Sequence, residues 1–167
     1  MPELVDVVDE NDVVLGQCNR EERARKGIIT RHVLVSLRTS ADDHILQVRA
    51  LSKPDFPACY DFAAGGLVHA GETYGVAAVR ELREKLGVRC PLDFRTKYLR
   101  HIASARGELR LHTSLFTGVY DGDFRPNEEV QSVMIVTPKQ LETMLSERQG
   151  GVEQYFIDEL NALKEYL

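Results

Sequence analysis

The chain has 167 residues, of which 28% are charged and 43% hydrophobic, and its formal net charge at pH 7 is −5. A chain of this length buries a core without disulfides or structural metals, so we expect one domain over residues 1–167. The negative charge argues against nucleic-acid and membrane partners. Three scattered cysteines, no signal-peptide pattern and no long apolar run predict a cytoplasmic protein.

The first 27 residues predict a short extension made of a β-hairpin and a helix. Apolar residues alternate along residues 3–17 on both sides of a polar turn, which is typical of two short strands. Asn19, followed three residues later by Glu22, favours a helix start, and Gly27 then ends a short charged helix. We expect the charges of that helix to be solvated.

Two strands are predicted next, over residues 28–37 and 44–48, because both stretches are rich in β-branched and aliphatic residues. His32 lies inside the first strand, and a single strand histidine is more often a hydrogen-bonded structural residue than a ligand. Arg49 and Lys53 follow, four residues apart, in a loop that leads to a pair of glycines. They are either surface charges or contacts for a phosphate group.

Residues 65–88 combine glycines, carboxylates and apolar residues, which we interpret as a loop followed by a helix. Two adjacent glycines open the loop. Thr73 is a suitable N-cap, residues 74–86 contain no proline, and Gly87 has the place of a left-handed residue that ends a helix.

The predicted helix has two faces. One side is apolar and carries Val76, Val79, Leu82 and Leu86. The opposite side is charged and carries Arg80, Glu81, Glu84 and Lys85. Glu81 and Glu84 lie one helical turn apart, so their carboxylates aim at a common point, and oxygen ligands of this kind suit Mg²⁺ or Mn²⁺. A solvated surface is the alternative interpretation of this charged face.

The second half of the chain predicts further strands and two helices. Residues 94–103 and 109–120 predict a long hairpin, residues 133–136 a strand, and Thr137-Pro138 the start of a helix. A terminal helix is predicted over residues 152–166, and it docks through one apolar stripe. The stripe consists of Tyr155 or Phe156, Leu160, Leu163 and Leu167.

The glycine segment and its helix also follow a fixed spacing. Its invariant positions are Gly66, Glu72, Arg80-Glu81, Glu84 and Gly87, and its apolar positions are Leu82 and Val88. This spacing resembles the signature of the Nudix hydrolases. The resemblance implies Mg²⁺- or Mn²⁺-dependent hydrolysis of a diphosphate bond in a nucleoside diphosphate derivative or a related organic diphosphate. It also implies an α/β/α sandwich around a mixed β-sheet, with residues 28–167 as the core and residues 1–27 as the extension; a homodimer would fit the family.

The resemblance implies a role for each charged residue of the motif. Glu81 and Glu84 hold the metal, which neutralises the diphosphate and sharpens a water nucleophile. Glu129, in the loop before the predicted strand at 133–136, joins them as a ligand or orients the attacking water; a surface glutamate is the alternative. Arg80 pairs with Glu72 or Glu84 and holds a carboxylate in position.

Lys85 departs from the family pattern, which has a metal-binding glutamate at this position. An ammonium in place of a carboxylate changes the local charge by two units beside a divalent cation. Three hypotheses follow: a weakened hydrolase, a site in which Lys85 contacts a phosphate directly, or a Nudix fold that binds a ligand without catalysis.

The segment from Arg49 to Lys53 and the N-terminal extension also resemble the type 1 isopentenyl diphosphate isomerases, a branch of the same superfamily. In these isomerases the residues that match Arg49 and Lys53 bind the diphosphate. The glycines Gly65 and Gly66 let the backbone pass close to metal and phosphate. The isomerase reaction itself is disfavoured, because the catalytic cysteine falls on Ala64 here and proton transfer at an allylic carbon needs its acid–base pair.

Overall fold

The computed structural model describes residues 3–167, apart from the side chains of residues 25 and 26. The strands are β1 (Leu4–Val8), β2 (Val14–Asn19), β3 (Ile29–Arg38), β4 (His44–Arg49), β5 (Tyr60–Phe62), β6 (Ala64–Leu67), β7 (Asp93–Ser104), β8 (Gly107–Val119) and β9 (Val130–Val136). The helices are α1 (Arg23–Lys26), α2 (Tyr74–Leu86), α3 (Pro138–Ser146) and α4 (Gln154–Ala162), with 3-10 turns at Arg20–Glu22 and Lys164–Tyr166.

The ten-residue strand β3 organises the sheet, because several other strands pair with it. It runs parallel to β8 along its whole length, from Ile29 opposite Arg110 to Arg38 opposite Val119. β1, β6 and β4 pair with it antiparallel, one after another, from its first residues to its last. Among the described residues these pairs belong to one nine-stranded sheet, which is mixed as predicted.

Helices cover both faces of the sheet. Side chains alternate along β3, so Val33 and Val35 pack on one face in a buried cluster with Leu82 of α2. Leu34, which lies between them, packs on the opposite face in a cluster with residues of α3 and α4, including Phe156. The predicted α/β/α sandwich is therefore confirmed.

The loop predicted at Gly65 and Gly66 is wrong, because both glycines lie in β6. Gly65 pairs with Leu34 of β3, and Gly66 pairs with Val33. Backbone N–H and C=O groups form this ladder without help from a side chain, so tertiary pairing overrides the low strand propensity of glycine.

Helix α2 begins and ends where the sequence predicts. The Thr73 side chain accepts a hydrogen bond from the Val76 backbone N–H at 3.3 Å, which caps the N-terminus. Gly87 adopts a left-handed conformation with φ of 68° and closes the C-terminus.

The apolar face predicted for α2 is confirmed for Leu82 and Leu86, which are buried, and is wrong for Val76 and Val79. Val76 and Val79 are 58% and 50% exposed. The residues that the helix buries are Ala77, Ala78, Glu81, Leu82, Lys85 and Leu86. The small alanines let the helix lie close to β6, and the buried charges of Glu81 and Lys85 have polar partners there.

Helix α3 starts as predicted, and α4 is shorter than predicted at both ends. Thr137 and Gln140 form a reciprocal capping box at the start of α3. The helix predicted over residues 152–166 is divided, because the backbone leaves helical geometry at Leu163 before a 3-10 turn. The predicted docking stripe is confirmed, since Phe156, Leu160 and Leu163 are buried in the core. Within residues 3–167, no helix combines the length and apolar character that crossing a membrane requires.

The N-terminal extension is part of the sheet. β1 and β2 form the predicted hairpin, and β1 continues the sheet beside β3. The short helix follows, with Glu22 accepting a hydrogen bond from the Asn19 backbone at 3.2 Å and Gly27 in a left-handed conformation. The expectation that its charges are solvated is wrong for Arg23, which is 7% exposed because α1 packs against β8.

Candidate active site

The centre of the site is the contact between α2 and the glycines of β6. The Glu81 side chain is buried, and its carboxylate lies directly against the backbone of Gly66. A β-carbon on residue 66 would stand 2.2 Å from this carboxylate, well inside van der Waals contact. Glycine at position 66 is therefore what lets Glu81 turn inward.

Arg80 ties the carboxylates of this region together. Its Nε donates to Glu72 Oε1 at 2.8 Å and its Nη2 to Glu72 Oε2 at 2.9 Å. Its Nη1 donates to Glu81 Oε1 at 2.8 Å and reaches Glu84 Oε2 at 3.4 Å. Nη2 also donates to the Leu67 carbonyl at 2.8 Å, which anchors the network to β6. The predicted pairing of Arg80 with Glu72 and Glu84 is confirmed.

The ion pairs keep this network charged although it is half-buried. Burial alone would lower the pKa of Arg80, but hydrogen bonds to Glu72 and Glu81 raise it above its usual value. Burial alone would raise the pKa of Glu72, but Arg80 and the His69 backbone N–H, which donates to Glu72 at 2.9 Å, lower it. Both groups therefore stay ionised at neutral pH.

Lys85 points into the same contact from the next turn of α2. Its Nζ donates to the Gly65 carbonyl and lies 3.6 Å from Glu81 Oε2. The residue is 6% exposed. A carbonyl and a carboxylate are thus the two polar groups that face the Lys85 ammonium here.

A second set of charges comes from the loop after β4 and the start of β9. Arg49 donates to Asp61 and to the carbonyls of Asp55 and Phe56, at 3.0–3.2 Å. Lys53 donates to the Glu129 carboxylate. Burial lowers the pKa of Lys53 in spite of this bond. Burial alone would raise the pKa of Glu129, but the bond from Lys53 and the positive charges of Lys85 and Lys53 together lower it.

These two sets of charges face one cavity of about 270 Å³. The residues predicted from the sequence that line it are Arg49, Lys53, Gly65, Gly66, Arg80, Glu81, Glu84, Lys85 and Glu129. Glu72 stands behind them and touches Arg80. The residues predicted for metal and phosphate binding therefore all line one cavity, although not all of them lie close together.

The carboxylates fit one divalent cation. Within residues 3–167, no three His, Cys, Asp or Glu side chains lie close enough together to hold a metal ion, so Glu129 is not gathered with Glu81 and Glu84. Glu81 and Glu84 both contact Arg80 Nη1, at 2.8 and 3.4 Å, so the guanidinium stands at the point that their carboxylates share. Mg²⁺ is commonly held by one or two carboxylates, with waters and substrate phosphates as the other ligands, so this pair suits Mg²⁺ or Mn²⁺.

Sequence reasoning missed several cavity residues. Arg100 of β7 lines the cavity and pairs with Glu159 of α4. Burial lowers the pKa of Arg100 to about 10, so it is a cation at neutral pH. Arg20 and Arg23 of the extension also line the cavity. The sequence signal for such residues is a basic side chain inside a predicted strand or next to an apolar stripe. This signal does not reveal which residue from another part of the fold the side chain contacts.

His32 also lines the cavity, and it lies in β3 opposite Leu67 of β6. Burial lowers its pKa well below the usual value, and the positive charges of Arg100 and Lys85 lower it further. The imidazole is therefore neutral at physiological pH.

Sequence comparisons identify relatives along nearly the whole chain. The NUDIX domain profile matches residues 29–156. A Nudix hydrolase of unassigned activity from Pseudomonas aeruginosa is 37% identical over 166 residues, covering 99% of this chain and 94% of that protein. The isopentenyl-diphosphate delta-isomerase of Schizosaccharomyces pombe is 32% identical over 182 residues, covering 93% and 79%.

Solved structures share the fold. A Deinococcus radiodurans protein has a TM-score of 0.77 at 24% identity, covering 96% of this chain and 98% of that one. The NUDIX domain of Shewanella oneidensis NrtR, solved with ADP ribose, has a TM-score of 0.62 at 18% identity, covering 81% and 86%.

Proposed function

The chain belongs to the Nudix hydrolase family, and on that premise we propose that it hydrolyses a diphosphate bond in a nucleoside diphosphate derivative or a related organic diphosphate, with Mg²⁺ or Mn²⁺ as cofactor. The observation that carries the proposal is that Glu81 and Glu84 line the same cavity as Arg49 and Lys53. Carboxylates for a metal and cations for phosphates are the two charge types that this reaction requires.

In this proposal Glu81 and Glu84 hold the metal. A bound divalent cation would withdraw charge from the diphosphate and make a water molecule more nucleophilic. Glu81 is well suited to a fixed role, because Arg80 and Gly66 leave it one orientation. Glu84 is 48% exposed in its side chain, which leaves it free to move toward a cation.

Arg49 and Lys53 hold the diphosphate in this proposal. Three acceptors, Asp61 and the carbonyls of Asp55 and Phe56, fix the guanidinium of Arg49 and so orient its remaining donors. Lys53 now donates to Glu129. A phosphate oxygen that accepts the hydrogen bond from the Lys53 ammonium would release the Glu129 carboxylate. In this proposal the released Glu129 serves as a metal ligand or accepts a proton from the attacking water.

Glu72 and Arg80 act behind these groups in the proposal. The two parallel hydrogen bonds between them fix the guanidinium plane, and the plane in turn orients Glu81. Neither residue needs to touch the substrate for its loss to disturb the metal site.

A substrate panel tests the proposal. Purified protein would be incubated with ADP-ribose, diadenosine polyphosphates, nucleoside diphosphates and isopentenyl diphosphate, with Mg²⁺ or with EDTA, and followed by ³¹P NMR. We expect metal-dependent cleavage of at least one diphosphate, lost in Glu84→Gln and retained in Glu142→Gln, an exposed glutamate of α3. Binding without cleavage of any substrate would contradict hydrolysis and favour a ligand-binding protein.

Isopentenyl diphosphate is included because of the isomerase relative. The chain has Ala63-Ala64-Gly65-Gly66 where those enzymes carry a cysteine before the motif, so no thiol is available there. Formation of dimethylallyl diphosphate by the wild-type protein would replace hydrolysis as the proposed reaction.

A further inference from the structure

The surroundings of the Lys85 ammonium are those of a bound cation. The Gly65 carbonyl and the Glu81 carboxylate converge on its Nζ. Oxygen atoms of these two kinds are also ligands of Mg²⁺. Lys85 and Glu81 lie one turn apart on α2, and both turn toward the β6 backbone. The positive charge that the Gly65 carbonyl and the Glu81 carboxylate face is therefore supplied by a side chain of this helix.

The ammonium keeps donor capacity toward the cavity. An ammonium has three N–H donors. Among the described residues, Gly65 accepts one of them, and Glu81 at 3.6 Å lies beyond ordinary hydrogen-bond distance. Lys85 also lines the cavity together with Lys53. At least one N–H of Lys85 is therefore free to meet an oxygen atom of a ligand.

A second cation near Lys85 makes an anionic ligand favourable. Lys53 and Glu129 line the same cavity as Lys85, and Lys53 donates a hydrogen bond to the Glu129 carboxylate. The two ammonium groups have different carboxylate partners, since Lys53 pairs with Glu129 and Lys85 lies 3.6 Å from Glu81. A phosphate group entering between Lys53 and Lys85 would be attracted to both ammonium groups.

We propose that Lys85 is a tethered cation: its ammonium occupies the place between Gly65 and Glu81 that a divalent ion would otherwise fill, and it binds a diphosphate oxygen of the substrate directly. This inference rests on the proposed function and deepens it. One divalent ion then suffices, on Glu81 and Glu84, and the diphosphate has affinity for the protein even without metal.

Calorimetry with α,β-methylene-ADP, whose diphosphate is not hydrolysable, tests this in the presence of EDTA. Wild type should bind. Lys85→Met should bind about 10- to 100-fold more weakly, as expected for a lost charge-assisted hydrogen bond. Lys85→Gln, which can still donate to Gly65, should be equally weak, because the charge is what binds. Arg83→Met removes one positive charge from the exposed side of the same helix and should bind as wild type does.

A second measurement needs no variant. Mn²⁺ titration of the wild-type protein with α,β-methylene-ADP, followed by electron paramagnetic resonance, should show one bound ion per chain. Two ions per chain would overturn the proposal, and so would unaltered affinity in Lys85→Gln or a wild type that binds the analogue only with metal. The binding test and the hydrolysis test are independent, because the analogue is never cleaved. Binding that depends on Lys85, without hydrolysis of any substrate, would reject only the proposed function. Hydrolysis without binding that depends on Lys85 would reject only the tethered cation.

Discussion

Gly66 and Glu81 fit together only because residue 66 has no side chain. The Glu81 carboxylate occupies the space that a β-carbon at position 66 would take, and the β-carbon would lie 2.2 Å from the carboxylate. We expect Gly66→Ala to push Glu81 out of place and to cost about 1–3 kcal/mol of stability, as for overpacking. Hydrolysis should fall by more than 10-fold, because misplaced catalytic groups are costly. Urea unfolding and initial rates would measure the two effects.

Gly75→Ala is the matched control on α2, because a β-carbon at Gly75 meets no atom within 4 Å. This variant should gain about 0.5–1 kcal/mol from its helix propensity and keep full activity. Equal rates in both glycine variants would show that the fit between Gly66 and Glu81 has no bearing on the reaction.

Arg80→Lys keeps the charge of Arg80 and removes its fork of donors. A lysine cannot reproduce the pair of parallel hydrogen bonds to Glu72 and the bond to Glu81. We expect about a 10- to 100-fold loss of metal affinity or activity, the usual effect of removing a residue that orients a ligand. Mn²⁺ titration of Arg80→Lys beside Arg83→Lys would measure it, and matching affinities would mean that charge alone matters.

Lys85→Glu should make the stability of the protein depend on metal. Without a cation, a glutamate at position 85 would stand beside the buried Glu81 and against the Gly65 carbonyl, and the new carboxylate would lack a positive partner because Arg80 is bound to Glu81. Mg²⁺ should then raise the melting temperature far more than in wild type, through binding to the folded state. Differential scanning fluorimetry with Mg²⁺ and with EDTA tests this, and Lys85→Met should show no such gain.

Glu72 should contribute to stability against acid. Arg80 and the His69 backbone lower its pKa in the folded protein below the usual 4.5, in spite of burial. The unfolded chain therefore binds the proton more readily, so this stabilisation is present above about pH 4.5 and is lost as the pH falls through the lowered pKa. Glu72→Gln should be less stable at pH 7 and should lose stability less steeply between about pH 5 and pH 3.

Urea unfolding of wild type and Glu72→Gln across this range would measure the difference. Glu142→Gln, exposed on α3, should follow the wild-type curve. Parallel curves for wild type and Glu72→Gln would show that Glu72 has the same pKa in the folded and unfolded states.

Local signals predicted much of the fold. The bounds of α2 follow from Thr73 and Gly87, and the start of α3 follows from Thr137 and Gln140, because a cap involves residues close in sequence. The charged cluster around Arg80 was also predictable, since its spacing on the helix is fixed.

Long-range effects explain what the sequence did not reveal. Val76 and Val79 face solvent because α2 turns its other side toward β6, where Gly66 leaves room for Glu81. Helix periodicity contains no information about that strand. Arg23 is buried in the same way by its packing on β8, more than 80 residues away in sequence.

The parallel pairing of β3 with β8 also determines when the sheet can be completed during synthesis. During synthesis, residues 29–38 wait for residues 110–119 to emerge from the ribosome before this edge of β3 is covered. Pairings of such sequence separation form slowly and leave strand edges open to other chains meanwhile. β3 also pairs with β6, against which Glu81 packs, so the nascent chain contains all of α2 before it contains the finished sheet that supports this helix.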